Sequence, residues 1–331
     1  MERVFVWLMR ITLSVAAVVG LLVSFAYFFL SQSLPDYSKT VEFSHVTEEI
    51  EIVRDTANVP HIFGKNDQDT LFALGYVHAQ DRLWQMTMLR RTAQGRLSEL
   101  FGAETLTVDM VVRRLGIYSA SQASLSALRP DTMAKLEAYA KGVNARLEEI
   151  NLGNLGRGAP ELFLFSNFIA PWSPTDSLAI IKLMGLQLSS HLESEVLRAR
   201  VSLILDDDLL KDLLPDVPGS GVAELNDFAS MFPSLLKQHA SVAMPKHSLS
   251  PFKSIALSGA SNAWAALPGR SASPGTLLAN DPHLGLTAPS IWYLARLELE
   301  NGGVIGGTIP GLPVILVGRS ASLGWGLTTA N

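Results

Sequence analysis

The sequence predicts an α+β protein, with helices gathered first and strands last. Three observations carry this. Apolar residues recur at steps of three and four between Asp67 and Leu188, the spacing of buried helix faces. From Ser261 onward they fall instead into short runs split by Gly, Pro and Asn: SNAWAALP, TLLAND, IWYLARLELE, GVIGGTI, PVILVG and LGWGLTT. Between the two halves, residues 215–259 are rich in Pro, Ser and Gly and hold no period, which reads as a long surface connector.

The chain has 331 residues, which suggests about two domains. Charged residues make up 17% of it, below the roughly 25% usual in soluble domains, so one segment is unusually apolar. The net charge of −5 argues against a nucleic-acid partner, which calls for a basic face. There is no cysteine, so a disulfide framework, a thiolate zinc site and a cysteine nucleophile are all excluded.

The apolar excess lies in residues 1–35. Ile11 to Leu30 carries twenty uncharged residues, enough for a helix to span the ~30 Å hydrocarbon core of a bilayer. Arg3 and Arg10 precede it and place the N-terminus on the cytoplasmic side. Two readings stay open. The segment is an inner-membrane anchor with the remainder in the periplasm, or a cleaved signal that releases a soluble periplasmic protein. The run is longer than the usual signal core and no A-x-A site follows it, which favours the anchor.

Further along, Ile50 and Ile52 alternate with charged neighbours and predict strands within residues 40–64, where Pro60 limits a central-strand role. A long helix is expected from Asp67 to about Gly95, carrying Leu71, Leu74, Val77, Leu83, Met86 and Leu89 inward. A second runs from Asp131 to about Ile150, with Met133, Leu136, Tyr139, Val143, Leu147 and Ile150 in one stripe. A third begins at SPTD. Ser173 suits the cap, Pro174 the first turn and Asp176 the positive end of the helix dipole. Its predicted buried positions are Leu178, Ile181, Met184 and Leu188, and a helical pattern resumes over 193–214. In the β-rich part, Asn301-Gly302 predicts a hairpin turn.

Several familiar site motifs are missing. There is no G-x-G-x-x-G, P-loop or H-E-x-x-H, and the residues around Ser261 do not form a G-x-S-x-G elbow. The seven histidines have no ligand spacing. His78 and His61 read as structural, hydrogen-bonded histidines.

One ordered set of motifs remains. GYVHAQDRLWQM (75–86) followed by GRLSELFG (95–102) resembles the α-chain signature of penicillin acylases and acyl-homoserine-lactone acylases. Val59-Pro60-His61-Ile62 fits the same pattern upstream. GASNAWA (259–265) resembles the junction where that family's β-chain begins, and NDPHLG (280–285), PGLP (310–313) and GWGLTT (324–329) follow in the family's order. The resemblance covers about Glu48 to Asn331.

It implies an N-terminal-nucleophile hydrolase, an αββα sandwich completed by a mostly helical α-chain. The implied organisation is an anchor or signal at 1–35, an α-chain-like region at 36–214, a spacer at 215–260 and the start of a β-chain at 261–331. The family's precursor is longer, so the chain is expected to correspond to its N-terminal part and to be doubtful as an enzyme alone. Cleavage between Ala260 and Ser261 would yield an α/β heterodimer. Ala260 stands where relatives often carry Gly, and small size is kept.

The implied chemistry has a physical basis. A serine hydroxyl is a weak nucleophile and needs a base. An α-amino group has an ordinary pKa of about 7.7–8.0, close to working pH. Self-cleavage therefore lets Ser261 supply both nucleophile and base. By resemblance, the backbone N–H of Thr329 serves the oxyanion and the backbone carbonyl of His283 orients the Ser261 amine. Leu284, Val317 and Leu327 line the acyl pocket, and Glu195 in SEVLRA is a ligand of one structural calcium ion. Calcium takes six to eight oxygens, so Glu195 needs partners. The implied substrates are acylated small-molecule amides, either penicillin-type amides or N-acyl-homoserine lactones. A cephalosporin-type acylase would need pocket arginines, which the sequence does not single out. A catalytically inactive, membrane-anchored binding relative is the alternative.

Overall fold

The computed structural model describes residues 2–152, 158–165, 169–188, 197–202, 204–213, 261–272, 274–284 and 287–328. The predicted connector at 215–259 lies outside these residues, as do parts of the 193–214 pattern. Of that pattern, residues 207–213 form a helix.

Helix α1 (Glu2–Ser31) buries none of its side chains. It is the one helix among the described residues long and apolar enough to cross a membrane. Near its end, Phe29 meets Phe163 edge-on at 6.0 Å. The chain then runs without regular structure to residue 50. Thr47 and Glu48 donate their backbone N–H groups to the Asp69 carboxylate, and the Thr47 hydroxyl does so at 2.7 Å. Lys39 pairs with Glu149 at 2.9 Å.

A six-stranded mixed sheet follows, in the order β1-β2-β5-β6-β7-β8. It comprises β1 (Glu51–Arg54), β2 (Pro60–Phe63), β5 (Tyr293–Glu298), β6 (Val304–Thr308), β7 (Val317–Arg319) and β8 (Gly324–Trp325). The expectation for Pro60 needs correcting, because β2 is an inner strand. Pro60 is its first residue and faces Arg54 of β1, whereas pairing with β5 starts only at His61. The missing N–H is therefore never asked for on the β5 side. Between β5 and β6 the turn falls at Asn301-Gly302 as predicted. Gly302 has φ +104° and its N–H donates to the Leu299 carbonyl at 3.0 Å.

Helix α2 (Asp67–Gln94) is capped by Asn66, whose side chain accepts from the Asp69 N–H, and ends at left-handed Gly95. Residues 69–80 are all buried, because the helix is covered on several sides. Its backbone leaves helical geometry at Arg82. After three short helices, α3 (Ser98–Phe101), α4 (Leu106–Leu115) and α5 (Ile117–Ser124), helix α6 (Pro130–Leu152) crosses α2 at very short range. A Cβ on Gly75 would collide with the Tyr139 carbonyl oxygen, and one on Gly142 with that of Phe72. The predicted stripe is buried at Leu136, Tyr139, Val143, Leu147 and Ile150.

Helix α7 (Pro174–Leu188) starts where SPTD predicts, but the cap works in reverse. The Asp176 carboxylate accepts from both the N–H (2.8 Å) and the hydroxyl (2.9 Å) of Ser173. The predicted face is also rotated. Ala179, Ile180 and Leu183 are buried, whereas Ile181 is exposed. Leu178 and Met184 are half-buried, and the Leu188 side chain lies outside the description. The run LAIIKLM is apolar nearly all round, so periodicity selects no face.

The α+β class stands. One core joins both halves of the sequence: Ile62, Leu74, Val77, Met86 and Tyr139 pack with Tyr293, Leu297, Ile309 and Leu312.

Candidate active site

Ser261 opens strand β3 (Ser261–Ala266), which pairs antiparallel with β4 (Leu277–Pro282) as a separate two-stranded sheet. A short 3-10 turn at Pro268–Arg270 follows β3 and begins the connection to β4. Ser261 lies opposite Pro282 and is half-buried. Proline has no N–H, so this partner cannot donate to the Ser261 carbonyl. The Thr328 hydroxyl does so instead, at 2.7 Å.

Asn280 ties the same place together. Its Nδ2 donates to the carbonyls of Asn262 (2.8 Å) and Leu327 (2.9 Å), and its Oδ1 accepts from the Leu327 N–H at 3.0 Å. The segment 326–328 continues from β8, whose residues Gly324 and Trp325 pair with Arg319 and Gly318 of β7. It therefore bridges the six-stranded sheet and the Ser261 hairpin.

The structure gathers Ser261, Leu327 and the 280–284 motif at one end of that hairpin. His283 sits just beyond β4, with Nε2 2.7 Å from the Asp281 carboxylate. Leu284 follows it and is half-buried, while Leu327 is 50% exposed. Val317 is in β7 opposite Gly307, one residue before the Gly318–Trp325 pair. Ala260, Thr329 and Glu195 lie outside the described residues. Among the described residues no group of three or more His, Cys, Asp or Glu could hold a metal ion.

A charged knot pins β1 and β5 to α2. The Asp81 carboxylate accepts from Arg54 at 2.8 and 3.1 Å, from the Tyr293 hydroxyl at 2.5 Å and from the Tyr37 hydroxyl at 3.1 Å. Burial opposes the Arg54 charge, but the Asp81 carboxylate outweighs it and raises the guanidinium pKa. Burial first, and then Asp81, push the Tyr293 phenol far above its ordinary value. Both Asp81 and Arg54 were legible as members of motifs or strands, yet nothing in the sequence paired them.

His78 is fully buried, with Nδ1 2.8 Å from the Tyr139 hydroxyl, which fits its structural reading. Burial, with Arg82 nearby, lowers its pKa to about 3. His61 is a half-exposed member of β2, 3.5 Å from Asp55.

Comparison with known proteins adds a further finding. The penicillin amidase family model matches residues 49–331. The chain is 35% identical over 299 residues to penicillin acylase 2 proenzyme of Pseudomonas sp. strain SE83, covering 86% of this chain and 36% of that protein. It is 32% identical over 304 residues to the acyl-homoserine lactone acylase QuiP of Pseudomonas aeruginosa, covering 90% of this chain and 35% of that one. The chain thus spans about a third of the length of these relatives. Among solved structures, a thermostable penicillin G acylase from Alcaligenes faecalis aligns with TM-score 0.42 and 24% identity, over 54% of this chain and 98% of that one.

Proposed function

Because this chain belongs to the penicillin amidase family, we propose that it provides the nucleophile of an acylase that hydrolyses the amide bond of acylated small molecules. Self-cleavage between Ala260 and Ser261 frees the Ser261 amine. That amine then accepts the hydroxyl proton through a bridging water while Oγ attacks the substrate carbonyl. An acyl-serine ester forms, the amine product leaves, and water hydrolyses the ester.

The observation that carries this reading is the seat of Ser261. It is the first residue of a strand, and its carbonyl is held by Thr328, the neighbour of Thr329. By family resemblance, the Thr329 N–H is proposed as the donor to the developing oxyanion, worth about 2.7–4 kcal/mol for one such donor. The His283 carbonyl is proposed to orient the amine. Leu284, Val317 and Leu327 are proposed as the acyl wall, and their aliphatic character favours an alkyl chain over a stacked aromatic ring. The names of the relatives support penicillin-type amides and N-acyl-homoserine lactones as substrate classes.

Processing would leave two chains, an α/β heterodimer joined by the shared core and the β2–β5 pairing. Helix α1 would place the enzyme at the inner membrane with its catalytic part in the periplasm, or act as a cleaved signal. Glu195 is proposed as a calcium ligand on sequence resemblance alone; the further oxygens calcium requires are not supplied by any described cluster.

The test is N-terminal sequencing of the complete, purified protein. A fragment starting Ser-Asn-Ala-Trp is expected, and Ser261→Ala should remove both the cut and the hydrolysis of acyl-homoserine lactones and benzylpenicillin. An active preparation consisting of one uncut chain would refute the proposal.

A further inference from the structure

Two residues, Asn280 and Thr328, surround the proposed nucleophile without being placed to react. We propose that Asn280 and Thr328 form a positioning clamp that sets the distance between Ser261 and the oxyanion donor. The inference rests on the Ser261 reading above.

The need for a clamp follows from the fold. A chain terminus frays unless it is tied down. Once cut, Ser261 would be such a terminus, at the end of a hairpin paired to no third strand among the described residues. Its cross-strand partner Pro282 offers no N–H. The Thr328 hydroxyl takes over that task at 2.7 Å, and so fixes the peptide that carries the Ser261 Cα, its hydroxyl and its amine.

Thr328 is in turn held by its own neighbour. Asn280 grips Leu327 by both backbone groups and grips Asn262 by its carbonyl. One planar amide thus spans the nucleophile strand and the segment leading to Thr329. All three polar contacts of the amide go to backbone, so its partners do not depend on neighbouring side chains. Gly326 makes room for it, because a Cβ there would lie 3.0 Å from Asn280 Cγ. Threonine adds a further constraint: its branched Cβ restricts χ1, which aims the hydroxyl.

Neither side chain acts on the substrate. Their effect is geometric: a misplacement of about 1 Å at a reacting group costs on the order of 10²-fold in rate.

The experiment uses the complete protein and reads maturation, melting temperature, kcat and KM for Thr328→Val, Thr328→Ser and Asn280→Ala, with Ser261→Ala as control. Thr328→Val keeps the shape and deletes the hydroxyl. The expected result is a fall in kcat of about 10²-fold at unchanged KM, restored to within a few fold by Thr328→Ser, with Asn280→Ala falling likewise. Maturation is itself a readout, because Ser261 must reach the Ala260 carbonyl. A Thr328→Val protein that melts normally yet stays uncut also supports the clamp. Wild-type kcat in Thr328→Val overturns it, and so does a loss that Thr328→Ser does not restore. An uncut Thr328→Val protein with a lowered melting temperature overturns it too, since the role would be structural only. If Ser261→Ala still hydrolyses substrate, the nucleophile reading fails first and separately.

Discussion

The Tyr139 hydroxyl lies 2.8 Å from Nδ1 of His78, joining the two crossing helices inside the core. It also accepts the Gly311 N–H at 2.9 Å, from the PGLP turn of the β-rich part. The phenol's single proton has only the imidazole Nδ1 to go to, which places the histidine proton on Nε2. One hydroxyl therefore locks α2, α6 and the turn at 310–313. Tyr139→Phe would leave Nδ1 and the Gly311 N–H unpaired. It should destabilise the protein by about 1–3 kcal/mol, read as a lower urea midpoint.

His78 should also give the fold an acid limit. Its folded pKa is lowered from 6.5 to about 3, so the neutral ring belongs to the folded state and protonation favours unfolding. Its contribution is complete above pH 6.5 and is lost as pH falls toward 3, by up to about 1.4 kcal/mol per pH unit. Stability measured between pH 7 and 4 should therefore decline, and His78→Gln should flatten the decline. An equally steep decline in the variant would assign it to other groups.

The α2–α6 crossing tolerates no side chain at its two glycines. Gly142→Ala pushes a methyl into the Phe72 carbonyl, and Gly75→Ala one into that of Tyr139. Each should cost about 1–3 kcal/mol or more, since backbone cannot move aside as a side chain would. Gly269→Ala, which meets open space, is the matched control. Soluble yield and melting temperature separate the three.

The Asp81 knot should behave as a buried pair. Asp81 and Arg54 side chains are each 10% exposed. Asp81→Asn leaves the buried guanidinium without its counter-charge and should cost about 3–5 kcal/mol. The double variant Asp81→Leu, Arg54→Met should cost less than Asp81→Asn alone. A larger loss in the double variant would mean that Tyr293 and Tyr37, not Arg54, are the partners that matter.

Helix α1 should hold the protein in the membrane fraction after carbonate washing, with protease reaching residues beyond 36 only once the outer membrane is opened. Recovery as a soluble protein lacking residues 1–35 would identify the segment as a cleaved signal.

Much of this was legible in the sequence, for identifiable reasons. The apolar run of Ile11–Leu30, the Asp67–Gly95 extent of α2, the stripe of α6 and the Asn301-Gly302 turn are local signals. Backbone sterics, capping and hydrophobic periodicity act over a few residues and so write themselves into adjacent positions. The motif order around Ser261 likewise marked the proposed nucleophile and its family.

Only the tertiary structure decided the rest, because those properties belong to contacts between residues far apart in the chain. LAIIKLM is apolar nearly all round, and its buried face was chosen by what packs on it. Pro60 became part of an inner strand because β5, more than two hundred residues later, begins its pairing one position further on. The partners of Asp81, the lock between Tyr139 and Gly311 and the grip of Asn280 on Leu327 follow no spacing rule. Hydrogen bonds and ion pairs act over about 3–4 Å of space, and only folding brings such groups that close.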